Sequence, residues 1–229
     1  IGQPGMAAAS AVDQLQLGTK YSPLTQINRD NVAALELAWE YHTGETPPAG
    51  TTKSLIAFED QPSLIEGNLV VCTTSRRLIA LDPQTGAERW VFDPKDRKVG
   101  MQKCRGIANW VDREAPAAAS CQTRIFLGTS DNRLLAIDAR TGKPCAGFGE
   151  QGEVQISLSK PEIWPGEVVT TSRPAVVNDV IVVGSMVADN QRVDAPSGRV
   201  TAFDARSGKQ VWAFDPLPRD PNDPAAKTW

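Results

Sequence analysis

The chain has 229 residues with 24 basic and 27 acidic side chains, a formal net charge of −3, and 41% apolar residues. Such a composition can bury a core, is too apolar for disorder, and has no charge excess to draw it to nucleic acid or an anionic membrane surface. The one histidine, His42, excludes a two-histidine zinc site, and no apolar run approaches the roughly 20 residues of a membrane-spanning helix.

Taken from the start, Ile1–Ser10 is small and Gly/Ala-rich, without the basic region or apolar core of a signal peptide, and residues 1–20 read as a flexible segment. Leu37-Ala38-Trp39, followed by Thr43-Gly44, is a degenerate copy of a motif that recurs further on. Residues 62–71 read strand, turn, strand. Leu78–Trp90 then gives the first full copy: an apolar strand ending at Asp82, a turn closing at Gly86, and a second strand carrying Trp90. Residues 93–106 are polar, basic and irregular. A strand over 124–129 leads into the second copy, Leu134–Gly142, where Ala146 replaces the tryptophan and Phe148 follows two residues on. Residues 115–120 and 157–167 are predicted loops. Pro174–Gly184 reads strand, Asn178-Asp179 turn, strand, and Val200–Trp212 is the third copy. Residues 216–229 form a predicted Pro/Asp-rich loop.

The shared pattern is Ala-x-Asp-x-x-Thr/Ser-Gly-x-x-x-Trp, with Asp82, Asp138 and Asp204 spaced 56 and 66 residues apart. Each part has a local physical role. The aspartate accepts backbone N–H bonds across the turn, the glycine supplies a positive-φ position, and the tryptophan ring covers an edge. Four strands per repeat of roughly 40–65 residues predict an all-β fold made of β-propeller blades; the alternative is a sandwich with similar hairpins. The four cysteines, Cys72, Cys104, Cys121 and Cys145, include no Cys-x-x-Cys pair. They allow either two disulfides in an oxidising compartment or four reduced thiols.

The repeat resembles the tryptophan docking motif of the quinoprotein alcohol and glucose dehydrogenases, eight-bladed propellers that use pyrroloquinoline quinone (PQQ). Tyr21-Ser22-Pro23-Leu24-Thr25-Gln26-Ile27-Asn28, Cys104-Arg105-Gly106, Thr141-Gly142-Lys143-Pro144-Cys145, Asp189-Asn190 and Trp212-Ala213-Phe214-Asp215-Pro216 are similar to the membrane-bound glucose and quinate/shikimate dehydrogenase branch. The resemblance implies that residues 21–215 are about four blades, roughly half of the ring. The rest would come from the remaining propeller half or from another copy of the chain.

By the same resemblance, Glu59 approaches the quinone, Arg105 contacts the anionic cofactor, and Thr171 binds it. Ser185, Met186 and Ala188 lie in the segment that packs on the ring face, and Asp189, helped by Asn190, is the ligand of a Ca²⁺ or Mg²⁺ ion. Trp110 falls where glucose-oxidising relatives have a histidine. It is therefore a substrate-side candidate, and it favours quinate, shikimate or another polyol over glucose. No adjacent-cysteine ring is present. The implied activity is oxidation of a polyol or cyclic hydroxy acid, with electrons passed to ubiquinone, in the periplasm, by a protein anchored to the inner membrane. No catalytic base matches within the chain, so the base is expected beyond Trp229. In a periplasmic setting a Cys104–Cys121 disulfide is expected, with Cys72 and Cys145 free. Two rival readings are a non-enzymatic propeller scaffold of the outer-membrane assembly type and an inactive fragment.

Overall fold

The computed structural model describes residues 24–45, 56–96, 102–188, 190–218 and 221–228. The expected flexible segment 1–20, Tyr21–Pro23 of the family signature, and Asp189 lie outside them. In chain order the strands are β1 (Ile56–Phe58), β2 (Ser63–Ile65), β3 (Asn68–Cys72), β4 (Leu78–Leu81), β5 (Glu88–Phe92), β6 (Gln102–Cys104), β7 (Ala108–Val111) and β8 (Thr123–Gly128). They continue with β9 (Arg133–Asp138), β10 (Glu153–Gln155), β11 (Val168–Val169), β12 (Ala175–Val177), β13 (Val180–Val183), β14 (Met186–Val187), β15 (Val200–Asp204) and β16 (Gln210–Phe214).

Three four-stranded antiparallel sheets, β2-β3-β4-β5, β7-β8-β9-β10 and β12-β13-β15-β16, are the blades among the described residues. The repeat arithmetic gave about four. The additional tryptophan, Trp39, comes from the segment ahead of the first blade. Two small pairs stand outside the blades: β1 with β6, parallel, and β11 with β14, antiparallel.

Blades pack face to face, which explains the central one. On β8, Ile125 and Leu127 face the first blade with Leu135 and Ile137, while Phe126 faces the third with Leu134, Ala136 and Phe148. Side chains alternate along a strand, so a blade covered on both sides buries every position, and all six residues of β8 are buried. The outer strand β16 is mostly exposed.

The recurring corner has one geometry. Asp82 Oδ1 accepts from the backbone N–H of Gln84 and Thr85 at 2.9 and 3.0 Å, and Asp138 Oδ1 from those of Arg140 and Thr141 at 3.0 and 2.9 Å. Asp204 Oδ1 accepts from the Ser207 N–H at 2.7 Å. The closing glycines, Gly86, Gly142 and Gly208, have φ of +71°, +69° and +72°. The tryptophan docks not on its own blade but on the glycine of the next. A Cβ on Gly86 would lie 2.6 Å from the Trp39 ring, and one on Gly142 2.5 Å from the Trp90 ring. Where the second copy lacks tryptophan, Val154 and Phe148 take its place, 2.8 and 3.3 Å from a Cβ on Gly208. Gly142→Ala combines a left-handed backbone with a ring clash and should cost about 2 kcal/mol, measured by urea unfolding. A loss below a few tenths would show that the ring does not rest on this backbone.

The cysteines correct the sequence expectation. Cys72 pairs with Cys104 and Cys121 with Cys145, at Cα separations of 6.0 and 5.7 Å, and no cysteine is free. Cys104 and Cys121 cannot meet because they lie at opposite ends of the β7–β8 hairpin. Ala108 pairs Phe126 at one end and Val111 pairs Thr123 at the other, a separation of roughly 10 Å of strand before the flanking residues are added, against a disulfide reach of about 7 Å.

Candidate functional site

Three segments that lead into the innermost strands of successive blades, β2, β7 and β12, converge. The parallel register of β1 and β6 sets Phe58 beside Cys104, so the next residues, Glu59 and Arg105, emerge side by side. Arg105 Nε donates to Glu59 Oε2 at 2.6 Å, and Lys103 Nζ lies 3.0 Å from Oε1. The Arg105 hydrogen bond, and then that of Lys103, holds the Glu59 carboxyl below its usual range. The Cys72–Cys104 disulfide ties this corner to the first blade.

A cleft of about 250 Å³ opens here, lined by Glu59, Asp60, Gln61, Ser63, Arg105, Gly106, Ile107 and Arg173. Asp60 Oδ2 accepts the Cys72 backbone N–H at 2.6 Å. Burial pushes the Asp60 carboxyl up to about 6, against the pull of the Cys72 and Gln61 N–H groups and of Arg173. Burial likewise lowers the Arg173 guanidinium, against the opposing field of Asp60.

The other predicted residues gather on the β11–β14 pair. Val169 pairs with Met186, so Thr171 and Ser185 lie just beyond the same end of this ladder. Thr171 is buried. Ser185 Oγ donates to the Arg199 carbonyl at 3.1 Å, and the Ala188 N–H to the Glu167 carbonyl at 2.8 Å. The buried Glu167 carboxylate is in turn held by Arg192, through Nε at 2.6 Å and Nη2 at 3.2 Å. Asn190 is described, with φ of 56°. Among the described residues no group of three or more His, Cys, Asp or Glu side chains is placed to hold a metal ion.

Trp110 is not brought to the cleft. It is a buried residue of β7 whose Nε1–H donates to Asp179 Oδ1 at 3.0 Å. The guanidinium groups of Arg124 and Arg206 lie over its ring, 5.5 and 5.2 Å from the centroid. It fastens the second blade to the third.

Sequence reasoning missed Asp60, Lys103 and Arg173. One signal was present. In the repeat, Gln61-Pro62 and Arg173-Pro174 stand in equivalent places ahead of an innermost strand, so a side chain before the proline points to the same region in each blade. As a donor, the Arg105 guanidinium fixed by Glu59 suits a carboxylate of the implied cofactor, because the planar fork binds a carboxylate bidentately.

The family profile described as "PQQ: Glucose/ethanol/alcohol dehydrogenase, beta-propeller domain" matches residues 10–229. The chain is 34% identical over 238 residues to quinoprotein glucose dehydrogenase A of Acinetobacter calcoaceticus, a match covering 96% of this chain and 29% of that protein. It is 33% identical to the quinate/shikimate dehydrogenase (quinone) of Acinetobacter baylyi, over 90% of this chain and 27% of the relative. The crystal structure of quinohemoprotein alcohol dehydrogenase from Comamonas testosteroni superposes with a TM-score of 0.63 at 29% identity, over 89% of this chain and 26% of that one. The chain thus spans less than a third of the length of these relatives.

Proposed function

This chain belongs to the glucose/ethanol/alcohol dehydrogenase β-propeller family, and from that premise we propose that it forms part of the catalytic domain of a PQQ-dependent dehydrogenase. The reading rests chiefly on one observation: a cleft in which the Arg105 guanidinium is fixed by Glu59. Bound there, the quinone would supply the two-electron acceptor that no protein side chain offers.

Within this reading the chain binds and orients. Arg105 holds a cofactor carboxylate, and Glu59 fixes the direction of its guanidinium. Thr171, Ser185 and Ala188 present small groups to the flat face of the ring. Asp189, with Asn190, offers hard oxygen ligands to Ca²⁺ or Mg²⁺. The substrate is a polyol or cyclic hydroxy acid and the acceptor is ubiquinone. The protein works in the periplasm, attached to the inner membrane, where its two disulfides are stable. A further propeller portion, or a second copy, completes the ring and supplies the base.

The test is titration of the purified protein with the quinone and Ca²⁺, read by tryptophan fluorescence and melting temperature. Quenching is expected, together with a rise in Tm equivalent to about 2.7 kcal/mol at a hundred times the Kd. Arg105→Gln should weaken binding by about tenfold or more, as expected for a lost charged hydrogen bond. Absence of any response would remove the proposal.

A further inference from the structure

We propose that Asp60 and Arg173 form a ligand-reading pair in this cleft that selects a molecule carrying a carboxylate next to a hydroxyl, a hydroxy acid, over a neutral polyol or a plain carboxylate. The inference rests on the reading above in placing the substrate in the same cleft, and it deepens that reading by naming the chemical class and the residues that recognise it.

The two side chains belong to the segments entering the first and third blades, and both approach Gly106 at the entry to the second. Asp60 precedes β2, Arg173 precedes β12, and Gly106 lies between them ahead of β7. A Cβ on Gly106 would be 3.5 Å from both Asp60 Oδ1 and Arg173 Cδ. The floor of the cleft is therefore bare backbone flanked by two opposite charges. Both are partly desolvated and each feels the field of the other. Neither is fully paired among the described residues. Asp60 Oδ1 is buried without a hydrogen-bond partner, although Oδ2 is occupied by the Cys72 N–H and the Gln61 N–H also acts on the carboxyl. Arg173 makes no hydrogen bond or ion pair with any described residue. A buried acceptor left unpaired is costly, and the half-buried Arg173 fork is free to take a ligand.

The chemistry of what fits follows from these vacant valences. Arg173 offers parallel N–H donors, the complement of a carboxylate. Asp60 Oδ1, ionised at neutral pH, accepts and cannot donate, so it needs a hydroxyl proton. A plain carboxylate satisfies Arg173 but sets a negative oxygen against Asp60 with no proton between them. A neutral polyol satisfies Asp60 and leaves the fork empty. A carboxylate with an adjacent hydroxyl satisfies both. Polar groups built to be paired discriminate strongly against ligands that leave them unpaired.

The experiment is isothermal titration calorimetry of the full chain at pH 8, with and without bound quinone, using quinate, cyclohexanecarboxylate and glucose. Quinate should bind tightest. Arg173→Gln should weaken quinate by about ten- to a hundredfold, the span for a charged hydrogen-bonded pair, while changing glucose by less than about twofold. Asp60→Asn should weaken quinate and leave cyclohexanecarboxylate unchanged or tighter. Arg173→Lys keeps the charge without the fork. It serves if the glutamine variant does not fold, and it should again cost quinate more than glucose. The proposal is overturned if cyclohexanecarboxylate binds the unmodified protein as well as quinate, or if neither Arg173 variant alters the preference for quinate over glucose. Quinone binding is followed separately by its absorbance. Loss of preference judged against intact quinone binding tests the pair alone, and failure of the quinone to bind counts against the cofactor reading while the quinone-free titration still reads the pair.

Discussion

Asp96→Ala should destabilise the protein by about 3–5 kcal/mol, the range for a buried ion pair broken on one side. Asp96 Oδ2 lies 3.0 Å from Arg76 Nη1, and the two side chains are 6% and 3% exposed. Asp96 also accepts the Ser130 N–H at 2.8 Å and the Ser130 hydroxyl. Arg76 sits in the turn between β3 and β4 with φ of 64°, and Ser130 in the turn between β8 and β9. The carboxylate therefore bridges equivalent turns of the first and second blades from the segment that joins them. Burial already lowers the Arg76 guanidinium, and Asp96 offsets that penalty. Removing the carboxylate takes away the hydrogen-bonded counter-charge of a buried cation and leaves it only the weaker field of Asp131. The double change Arg76→Met with Asp96→Ala should recover most of the loss, since no charge remains to be stranded. Equilibrium urea unfolding measures both. A single-variant loss under about 1 kcal/mol would mean that water reaches the pair and that the bridge is a surface contact.

That bridge shows where legibility in the sequence stops. The Asp–Gly corner was readable because its donors and acceptors lie within six residues of each other, so composition alone dictates the turn. The hairpin at Asn178 was readable for the same reason, and its φ of 54° shows the residue choice at work. Blade docking was half readable. Trp39, Trp90 and Trp212 announced a repeated ring contact, but its direction, onto the glycine of the following blade, requires knowing that blades stack. The substitution of Phe148 and Val154 for a tryptophan needed the same knowledge. Glu59 and Arg105 meet only because β1 and β6 pair in parallel, outside any blade, and no motif marks that pairing. Asp60 and Arg173 are drawn together by ring curvature across a whole blade. Trp110 carries the opposite lesson. Analogy set it beside the substrate, whereas its cross-strand partner is Arg124, and an aromatic ring opposite a guanidinium is a stacking pair before it is anything else.

Loss of the two disulfides should be the other large effect, and its two halves should separate stability from function. Their sequence separations of 32 and 24 residues give a chain-entropy contribution of about 3–4 kcal/mol each. Cys121–Cys145 ties the turn before β8 to the chain beyond β9, where the Cys145 N–H bonds the Ala136 carbonyl. It lies wholly within the second blade, so Cys145→Ser should lower Tm and leave ligand binding intact. Cys72–Cys104 joins two different units. Cys72 ends β3 of the first blade, and its N–H anchors Asp60. Cys104 ends β6 and immediately precedes Arg105. Cys104→Ser should cost similar stability and, in addition, loosen the register that sets Glu59 against Arg105. Its quinone affinity should fall while that of Cys145→Ser does not, because only this bond spans the two sides of the cleft. Peptide mapping under non-reducing conditions should return the linkages 72–104 and 121–145. A Cys104–Cys121 linkage or four free thiols would overturn the pairing. Equal quinone affinity in the two serine variants would show that β1 and β6 hold the cleft without their covalent tie.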